Sequence, residues 1–514
     1  MNGAQSLVST LVDRGVDICF ANPGTSEMHF LAALENPRMR SVLCLFEGVA
    51  TGAADGWYRM RDTPACTLLH LGPGLSNGLA NIHNARRASS GMVNIVGEHS
   101  SRHLKYDAPL TSDIEGLARP LSHWVRRSDS SRSVASDGAA AVDKASEHPG
   151  QIATLILPGD GSWKEAGEPS PPPPAKREPI VPDQARIDAA ARILRSGEPT
   201  LLILAGKACR GRALELAGRI AAKTGCRLGS QFFTARMERG AGRVTLERIP
   251  YAVKPALAFL EGFRHLITVE TSEPVAFFSY PDLPSQLKAP GANVQPLVER
   301  DEDSLAGLEA LAEAVGALNA APPLQEAFDR QAPTGALTPV SIAQALTAAM
   351  PEGCILVDES ITAGRETMSL TSGARPHDLF NNMGGSIGYS PPVSVGAALA
   401  CPDRRVFCMT GDGSAMYTLQ ALWTQAREGL AVTTIIFANN SYAILKGEYA
   451  NMRAGEPGAR ALTMIDLDRP KLDWLSLAKG MGVPGVAVDT AEDFTRAMAD
   501  SCREAGPRLI EVRL

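Results

Sequence analysis

Short apolar runs alternate with longer amphipathic stretches along the whole chain. Six of these runs are five to seven residues long and carry few charges, and they lie at 65–71, 92–96, 200–204, 265–269, 405–409 and 432–438. Continuous apolar runs, without strict alternation, are typical of strands that are covered on both faces. The longer stretches between them predict helices. We therefore predict the α/β fold class, built from doubly wound parallel sheets.

Two proline-rich segments divide this pattern into three parts. The first segment, 165–179, contains four consecutive prolines, Pro171 to Pro174, which predict an extended linker because proline cannot enter a helix or a central strand. The second segment, 319–339, contains four more prolines. A chain of 514 residues suits three domains of about 100–200 residues. We predict domains at 1–165, 180–320 and 335–514.

Charge and cysteine usage exclude several classes of partner. The net charge is −6 and no basic block stands out, so we expect neither nucleic acid nor an anionic membrane as a partner. Nine cysteines are dispersed without a Cys-x-x-Cys pair, which indicates reduced thiols and a cytoplasmic location. The first residues show no signal-peptide pattern, and no run reaches the roughly 18 apolar residues of a membrane helix.

The strongest chemical motif lies between 405 and 445, where a predicted strand ends in Gly411-Asp412-Gly413-Ser414. Glycines allow the backbone to approach a bulky anion, and N–H groups at the start of the next helix favour phosphate. The Asp412 carboxylate offers Mg²⁺ a hard oxygen ligand. Asn439 follows 27 residues later at the end of the next predicted strand, and ligands of parallel sheets gather at such strand ends.

This spacing resembles the signature of enzymes that depend on thiamine diphosphate (ThDP). The resemblance implies that Asp412, Asn439 and the backbone carbonyl of Ser441 bind Mg²⁺. It also implies that Gly411, Gly413, Ser414 and Tyr442 contact the diphosphate. The pair Asn439-Asn440 allows two registers, and the Ser-Tyr that follows favours Asn439. A second Gly-Asp-Gly-Ser, at 159–162, has no asparagine 27 residues beyond its aspartate and is typical of a turn.

Glu47 closes a predicted strand before an Ala- and Gly-rich helix. A helix N-terminal acid stabilised by the helix dipole would explain it without any catalytic role. The stretch 47–59 is similar to the segment in ThDP enzymes whose glutamate bonds the aminopyrimidine ring and promotes deprotonation of the thiazolium C2. The resemblance therefore implies that Glu47 activates the cofactor, while the cofactor supplies the chemistry at the reacting carbon.

Three further segments extend the resemblance across both end domains. Thr25, in the first strand-to-helix loop, is implied to lie near the reacting centre. Gly385 is implied to accept a bond from the cofactor amino group, and Ile387 to support the bent cofactor. Thr362 lies in a segment similar to a loop beside the diphosphate. The chain looks most like acetolactate synthases and benzoylformate decarboxylases, and the domains are expected to bind the aminopyrimidine (1–165) and the diphosphate with Mg²⁺ (335–514).

The substrate is expected to be a small 2-oxo acid. His70 occupies a position where benzoylformate decarboxylase-like enzymes place a histidine, which favours protonation and simple decarboxylation. The stretch 273–282, where those enzymes have a second histidine, has none and instead contains Phe277, Phe278 and Tyr280. We therefore favour a decarboxylating carboligase, with a non-oxidative decarboxylase as the second candidate. The aromatic side chains predict an apolar pocket wall.

Two rival functions and a second cofactor also fit parts of the sequence. The glycines at 72, 74 and 78 with Glu98 imitate a nicotinamide-binding fingerprint, so an NAD(P) oxidoreductase is a weak rival. A cofactor-binding but inactive paralogue is the other rival. FAD could occupy the central domain, but 202–214 lacks an ordered glycine fingerprint and favours an empty domain. The resemblance also implies a homodimer or homotetramer.

Overall fold

The structure is a computed structural model, and it describes residues 1–170 and 180–514. The run Pro171 to Pro174, which we predicted to form a linker, lies outside the described residues. Within the described residues, we find no helix that combines the length and the apolar character needed to cross a bilayer.

The first parallel sheet has six strands in the order β2-β1-β3-β4-β6-β5. The strands are β1 (Ile18–Ala21), β2 (Arg40–Leu43), β3 (Ala65–Leu69), β4 (Met92–Glu98), β5 (Trp124–Arg127) and β6 (Ile152–Pro158). The helices are α1 (Gly3–Asp13), α2 (Met28–Ala33), α3 (Glu47–Arg61), α4 (Leu71–Arg87), α5 (Ile114–Ala118), α6 (Val134–Ser146) and α7 (Gly159–Trp163), with 3-10 turns at Thr25–Glu27 and Leu104–Tyr106.

The second sheet has five parallel strands in the order β10-β8-β7-β11-β12. This segment contains β7 (Thr200–Leu204), β8 (Arg227–Ser230), β9 (Met237–Arg239), β10 (Glu247–Arg248), β11 (His265–Val269) and β12 (Asn293–Val298). Its helices are α8 (Gln184–Ser196), α9 (Gly211–Thr224), α10 (Val253–Leu260) and α11 (Ser304–Ala314), with a 3-10 turn at Gly206–Cys209. The strand β9 lies in this segment of the chain but belongs to the third sheet.

The third sheet has the order β17-β18-β16-β15-β13-β14-β9. Its strands are β13 (Ile355–Glu359), β14 (His377–Asn381), β15 (Val406–Gly411), β16 (Val432–Ala438), β17 (Gly485–Val488), β18 (Arg508–Arg513) and β9. Its helices are α12 (Pro339–Ala349), α13 (Thr367–Leu370), α14 (Ser390–Ala400), α15 (Asp412–Ala415), α16 (Ala421–Arg427), α17 (Ala443–Asn451), α18 (Ala459–Leu462), α19 (Trp474–Gly480) and α20 (Ala491–Arg503).

The predicted α/β class with three parallel sheets is confirmed, with one addition. The strand β9 pairs antiparallel with β14, so the central segment contributes the edge of the third sheet. An ion pair between Arg236 and Asp378 (2.7 Å) accompanies this pairing. The contact joins residues more than a hundred positions apart, and periodicity along the chain cannot reveal such a contact.

The end domains pack through α3 and α14. A side chain at Gly56 would place its Cβ 2.0 Å from the Val393 carbonyl oxygen, and one at Gly396 would approach the Ala53 carbonyl to 1.9 Å. Small residues therefore allow the two backbones to touch. One continuous apolar core includes residues from both helices and from the sheets beneath them. This packing fixes the position of the loops at both ends of α3 and α14.

Candidate active site

The parallel strands β1, β2 and β3 direct three of the predicted residues to one edge of the first sheet. Thr25 follows β1, Glu47 follows β2 and His70 follows β3. These strands are neighbours in the sheet, and their carboxyl ends therefore lie side by side. At Gly74, a Cβ would lie 2.9 Å from Glu47 Oε1 and 3.2 Å from the His70 Cβ. Glu47 and His70 therefore flank the same glycine.

Glu47 begins α3 and is buried. Asn77 of α4 donates a hydrogen bond from Nδ2 to Glu47 Oε2 at 3.0 Å. The carboxylate thus has the helix N-terminus behind it and one side-chain amide beside it, which both favour a fixed orientation. Asn77 was not singled out from the sequence. The sequence feature that could have indicated Asn77 is its place on the helix that follows His70, seven residues further along.

His70 has a buried partner that the sequence did not reveal. Its Nδ1 lies 2.8 Å from Oε2 of Glu27, and the same carboxylate accepts a hydrogen bond from the Gly24 N–H at 2.8 Å. The Ser26 hydroxyl also contacts the Glu27 carboxylate. Glu27 is almost completely buried, whereas about a quarter of the His70 side chain is exposed. His70 is therefore held from behind and faces solvent with its other ring edge.

The strands β15 and β16 bring Asp412 and Asn439 to one edge of the third sheet. These strands pair in parallel up to Gly411 and Phe437. Asp412 Oδ1 accepts the Gly413 N–H at 2.8 Å, and Oδ2 accepts the Asn440 N–H at 2.6 Å. The Asp412 side chain is buried, and this burial raises its pKa, while both N–H groups oppose the shift. The loop after β16 therefore closes directly on the carboxylate.

The donor set at this edge suits Mg²⁺. Asn439 Oδ1 accepts the Ser441 N–H at 3.0 Å, and the neighbouring Asn440 N–H reaches Asp412. In residues 1–170 and 180–514, no cluster of three or more His, Cys, Asp or Glu side chains is arranged to hold a metal. One carboxylate, one amide and a backbone carbonyl are instead the small oxygen set that Mg²⁺ takes together with phosphate and water.

Of the two glycines around Asp412, Gly413 is required by a contact, whereas a Cβ on Gly411 would meet only Ser414 Oγ at 3.9 Å. A Cβ on Gly413 would lie 2.4 Å from the Tyr442 ring, so Tyr442 covers this turn. Burial raises the pKa of the Tyr442 hydroxyl. Gly411 and Ser414 flank Asp412 at the start of α15, a single helical turn. Where the sequence predicted one helix after the motif, the structure has two short helices, α15 and α16.

Two further loops reach the same edge, because β13 and β14 continue the sheet beside β15. Thr362 lies in the loop after β13 and is half-buried. Gly385 and Ile387 lie in the loop between β14 and α14, and Gly385 has a φ of +77° that suits glycine. The Thr418 hydroxyl donates a hydrogen bond to the Gly388 carbonyl at 2.9 Å, which joins this loop to the segment after Asp412.

The second Gly-Asp-Gly-Ser begins the short helix α7, so the expected turn is wrong. Its Asp160 accepts hydrogen bonds from the Ser101 N–H (2.8 Å) and from Lys164 Nζ (3.2 Å). These two contacts provide the hydrogen-bond partners of the Asp160 carboxylate, and no strand-end asparagine is among them. The Gly-Asp-Gly-Ser motif therefore has different hydrogen-bond partners at 159–162 and at 411–414.

The nicotinamide-like glycines at 72, 74 and 78 lie inside α4 and do not form a loop before a helix. Glu98 is fully buried and accepts a hydrogen bond from Arg127 Nη1 at 3.0 Å. These residues therefore have structural partners within the first domain, and their arrangement does not support an NAD(P) site.

The central sheet has its own topological switch point between β7 and β11, where open α/β sheets commonly bind nucleotides. Glu270 follows β11 and lies against Gly206, where a Cβ would be 1.9 Å from its Oε2. The same oxygen accepts the Lys207 N–H at 3.1 Å. Burial raises the pKa of Glu270. A protein carboxyl group thus takes the backbone donor that a nucleotide phosphate would need.

Comparisons with known proteins identify the family. Residues 1–118 match the N-terminal TPP binding domain of thiamine pyrophosphate enzymes, and residues 363–512 match the C-terminal TPP binding domain. The chain belongs to the thiamine pyrophosphate enzymes. This resemblance, which the sequence motifs predicted, is therefore confirmed.

Three relatives of this thiamine pyrophosphate enzyme cover nearly its full length. It is 49% identical to IlvX of Mycobacterium tuberculosis, whose assigned name is that of an acetolactate synthase large subunit, over 100% of the chain and 99% of the relative. It is 28% identical to benzoylformate decarboxylase of Pseudomonas aeruginosa over 97% of the chain and 96% of the relative. Among solved structures, a 4-hydroxybenzoylformate decarboxylase of Rhodococcus jostii RHA1 superposes with a TM-score of 0.86 at 26% identity, covering 100% and 99% of the two chains. The protein is therefore a ThDP-dependent enzyme similar to acetolactate synthase.

Proposed function

We propose that this enzyme is a Mg²⁺-dependent carboligase that decarboxylates a small 2-oxo acid and joins the remaining acyl group to a second carbonyl compound. In this proposal, Asp412, Asn439 and the Ser441 carbonyl hold Mg²⁺. The diphosphate is held by Gly411, Gly413, Ser414, Tyr442 and Thr362. Gly385, Ile387 and Glu47 orient the ring end of the cofactor.

When bound, ThDP supplies a nucleophilic carbon that adds to the substrate carbonyl and accepts the electron pair released with CO₂. The protein supplies orientation and proton transfer. Glu47 exchanges a proton with a ring nitrogen in this proposal, which its burial and its hydrogen bond from Asn77 at 3.0 Å support. The enclosed position of the carboxylate limits competition from water for that proton.

The observation that favours carboligation over simple decarboxylation is the aromatic side chain of Phe277 beside Gly385. The Phe277 ring reaches within 3.0 Å of the position that a Gly385 Cβ would occupy. It continues into a wall of aromatic rings, with centroids 5.7 Å from Phe233, 5.6 Å from Tyr251 and 4.9 Å from Phe278. Neither Phe277, which meets Gly385, nor Phe278 can donate a proton, and among these four rings the hydroxyl is on Tyr251. With the cofactor bound, this wall would favour transfer of the acyl group to a second carbonyl over protonation, because Phe277 presents no proton donor beside Gly385.

The decisive experiment is product analysis with purified enzyme, Mg²⁺ and ThDP. Pyruvate and a panel of larger 2-oxo acids are supplied with and without an aldehyde or a second 2-oxo acid as the acceptor. We expect a coupled hydroxy ketone or acetohydroxy acid as the main product at saturating acceptor. Finding only CO₂ and free aldehyde would refute carboligation and leave the cofactor assignment unaffected.

A non-oxidative decarboxylase is the second candidate, and the contact between His70 and Glu27 favours it. A histidine fixed by a buried carboxylate is suited to deliver a proton from its exposed edge. The same product analysis separates the candidates, since a decarboxylase releases free aldehyde even with acceptor present.

We propose a homodimer or homotetramer in which Glu47 of one subunit serves the cofactor held at Asp412 of another. In the described parts of the chain, no hydrogen bond joins the Glu47 side chain to Asp412, Asn439 or Ser441. Large apolar side chains beside both clusters are exposed, among them Leu45 (44%), Met416 (40%) and Tyr417 (54%). Exposed apolar side chains next to a polar site are typical of surfaces that bind another protein.

Subunit complementation tests this assembly. Glu47→Gln and Asp412→Ala proteins should each be inactive, and a mixture that has exchanged subunits should regain activity because one site of each hybrid dimer is intact. An active monomer in analytical ultracentrifugation, or no recovery in proven hybrids, would contradict the shared site.

We also propose a cytoplasmic location and a central domain without flavin. The nine cysteines are free, and seven of them are buried, which suits a reducing compartment. Glu270 occupies the phosphate-binding position of the central sheet, which supports an empty domain. Visible flavin absorbance in protein purified with its bound ligands would refute the second part of this proposal.

A further inference from the structure

The loop that carries Gly385 and Ile387 is held from within its own domain at both ends. Asn382 Oδ1 accepts the N–H groups of Gly384 (3.3 Å) and Gly385 (2.9 Å). At the other end, the buried carboxylate of Glu359 accepts the N–H groups of Gly388 (3.0 Å), Tyr389 (3.1 Å) and Ser390 (3.0 Å). These contacts fix both ends of the loop, and Asn382 Nδ2 also donates to the carbonyl of Ser386 at its centre, at 2.7 Å.

The centre of the loop is also held by a residue of the other end domain, which supplies the acceptor for the Ser386 N–H. Asn84 of α4 donates from Nδ2 to the Ser386 carbonyl at 2.9 Å and accepts the Ser386 N–H at Oδ1, at 3.1 Å. The side-chain amide thus pairs with both polar groups of one backbone residue. Next to it, His83 Nε2 lies 3.1 Å from the Gly384 carbonyl. Asn84 is completely buried, so water cannot replace these bonds.

Asn84 is one of three asparagines along one side of α4. Asn77, Asn81 and Asn84 have the spacing i, i+4 and i+7, which places them on one helix face. Asn77 bonds the Glu47 carboxylate, and Asn81 Nδ2 donates to the Gly48 carbonyl at 2.8 Å. Asn84 also donates to Asn81 Oδ1 at 3.0 Å. This asparagine row therefore contacts the proposed acid and the cofactor loop of one chain, which in the proposed assembly serve two different copies of the cofactor.

We propose that the asparagine row, Asn77, Asn81 and Asn84, is the element that positions the loop 384–387 for activation of the cofactor. Asn84 acts through Ser386, which lies between the two residues proposed to touch the cofactor rings. It is a positioning residue, since it is completely buried and its side-chain hydrogen bonds go to Ser386 and Asn81. This inference rests on the proposed roles of Gly385 and Ile387.

The first test uses the cofactor-free protein. Amide hydrogen–deuterium exchange of a peptide that spans 382–390 should become faster in Asn84→Ala, because the Ser386 N–H loses its acceptor while its carbonyl keeps the bond from Asn382. Asn94→Ala is the matched control. Asn94 is an equally buried amide of the same domain, and it bonds Thr67 (2.7 Å) and Thr154 (3.3 Å) far from this loop. The control should lower Tm without changing exchange in 382–390.

The second test measures exchange of the thiazolium C2 proton at saturating ThDP and Mg²⁺. We expect Asn84→Ala to slow this exchange about 100-fold, since a misplacement of about 1 Å has effects of that size. The Kd for ThDP should change less than about tenfold, because the diphosphate contacts remain. Asn84→Asp has the same shape and keeps the acceptor but loses the donor, and it should give an intermediate rate.

The outcomes distinguish this inference from the proposed function. If the wild-type protein neither binds ThDP nor exchanges the C2 proton, the proposed function fails. If the wild type exchanges and both Asn84 variants match it within twofold, the positioning role is overturned while the function stands. If Asn84→Ala does not fold, the nearly isosteric Asn84→Asp decides the question by itself.

Discussion

Nδ1 of His70 lies 2.8 Å from Oε2 of Glu27, a carboxylate that is 1% exposed. An ionised carboxylate only accepts hydrogen bonds, so Nδ1 carries the proton in this pair. The arrangement leaves Nε2 free to exchange a proton with a ligand in the cleft. The pair joins the loop after β1 to the end of β3. The orientation of the His70 ring therefore depends on the position of Glu27.

Glu27→Gln should lower kcat/KM about 100-fold if His70 transfers protons, because the amide no longer selects one ring tautomer. His70→Ala should have at least this effect. The double variant should be no slower than His70→Ala if the effect of Glu27 on the reaction passes through the ring, since its other bonds are to Gly24 and Ser26 of its own loop. Steady-state kinetics with a 2-oxo acid measure all three. Additive losses would show that Glu27 has a separate role.

Asp412→Ala should weaken Mg²⁺-dependent binding of ThDP by about 100-fold or more, which corresponds to about 2.7 kcal/mol. The physical reason is the loss of the one charged ligand of the proposed metal site. Isothermal titration calorimetry with and without Mg²⁺ measures this affinity. Asp160→Ala is the control from the second Gly-Asp-Gly-Ser and should bind the cofactor as the wild type does. Equal affinities for the two variants would disprove the Asp412 assignment.

Glu47→Gln should leave the cofactor bound but slow C2 proton exchange by about 100-fold or more, because glutamine cannot share a proton with the ring nitrogen. Asn77→Ala should give a smaller effect of the same kind, since it removes the 3.0 Å hydrogen bond to the carboxylate. Deuterium exchange followed by NMR after acid quench checks both. Wild-type exchange in Glu47→Gln would end the proposed role.

Glu359 should make stability depend on pH in a defined window. Burial raises its pKa from 4.5 to about 7, although backbone N–H groups oppose the shift. Between these values the unfolded chain binds fewer protons than the native protein, so stability falls as pH rises. The slope for one such group approaches about 1.4 kcal/mol per pH unit.

Glu359→Gln does not titrate and isolates this contribution. The Tm of the wild type relative to that of the variant should decrease between about pH 4.5 and pH 7 and stay level outside this window. Differential scanning fluorimetry across this range measures it. A constant difference would show that the carboxyl group has the same pKa in both states.

The sequence by itself determined the fold class and the order of the strand-end residues. Continuous apolar runs specify strands with two covered faces, and parallel strands deliver the residues after them to one edge. This is why Thr25, Glu47 and His70 gather at the first sheet, and Asp412 and Asn439 at the third. The spacing between Asp412 and Asn439 is local information, because it spans one strand–helix–strand unit.

Only the tertiary structure decided which partners hold these residues. Glu27 and His70 are 43 positions apart, and Asn84 and Ser386 are 302 positions apart. Such pairs depend on how α4 packs against neighbouring loops, and periodicity carries no record of that packing. The sequence pattern also did not show that the helix after Asp412 is two short helices, α15 and α16. Nor did it show that β9 pairs in the third sheet. The local sequence pattern determines the position of a residue at the end of a strand or on a helix. Long-range packing determines which other residues its side chain contacts.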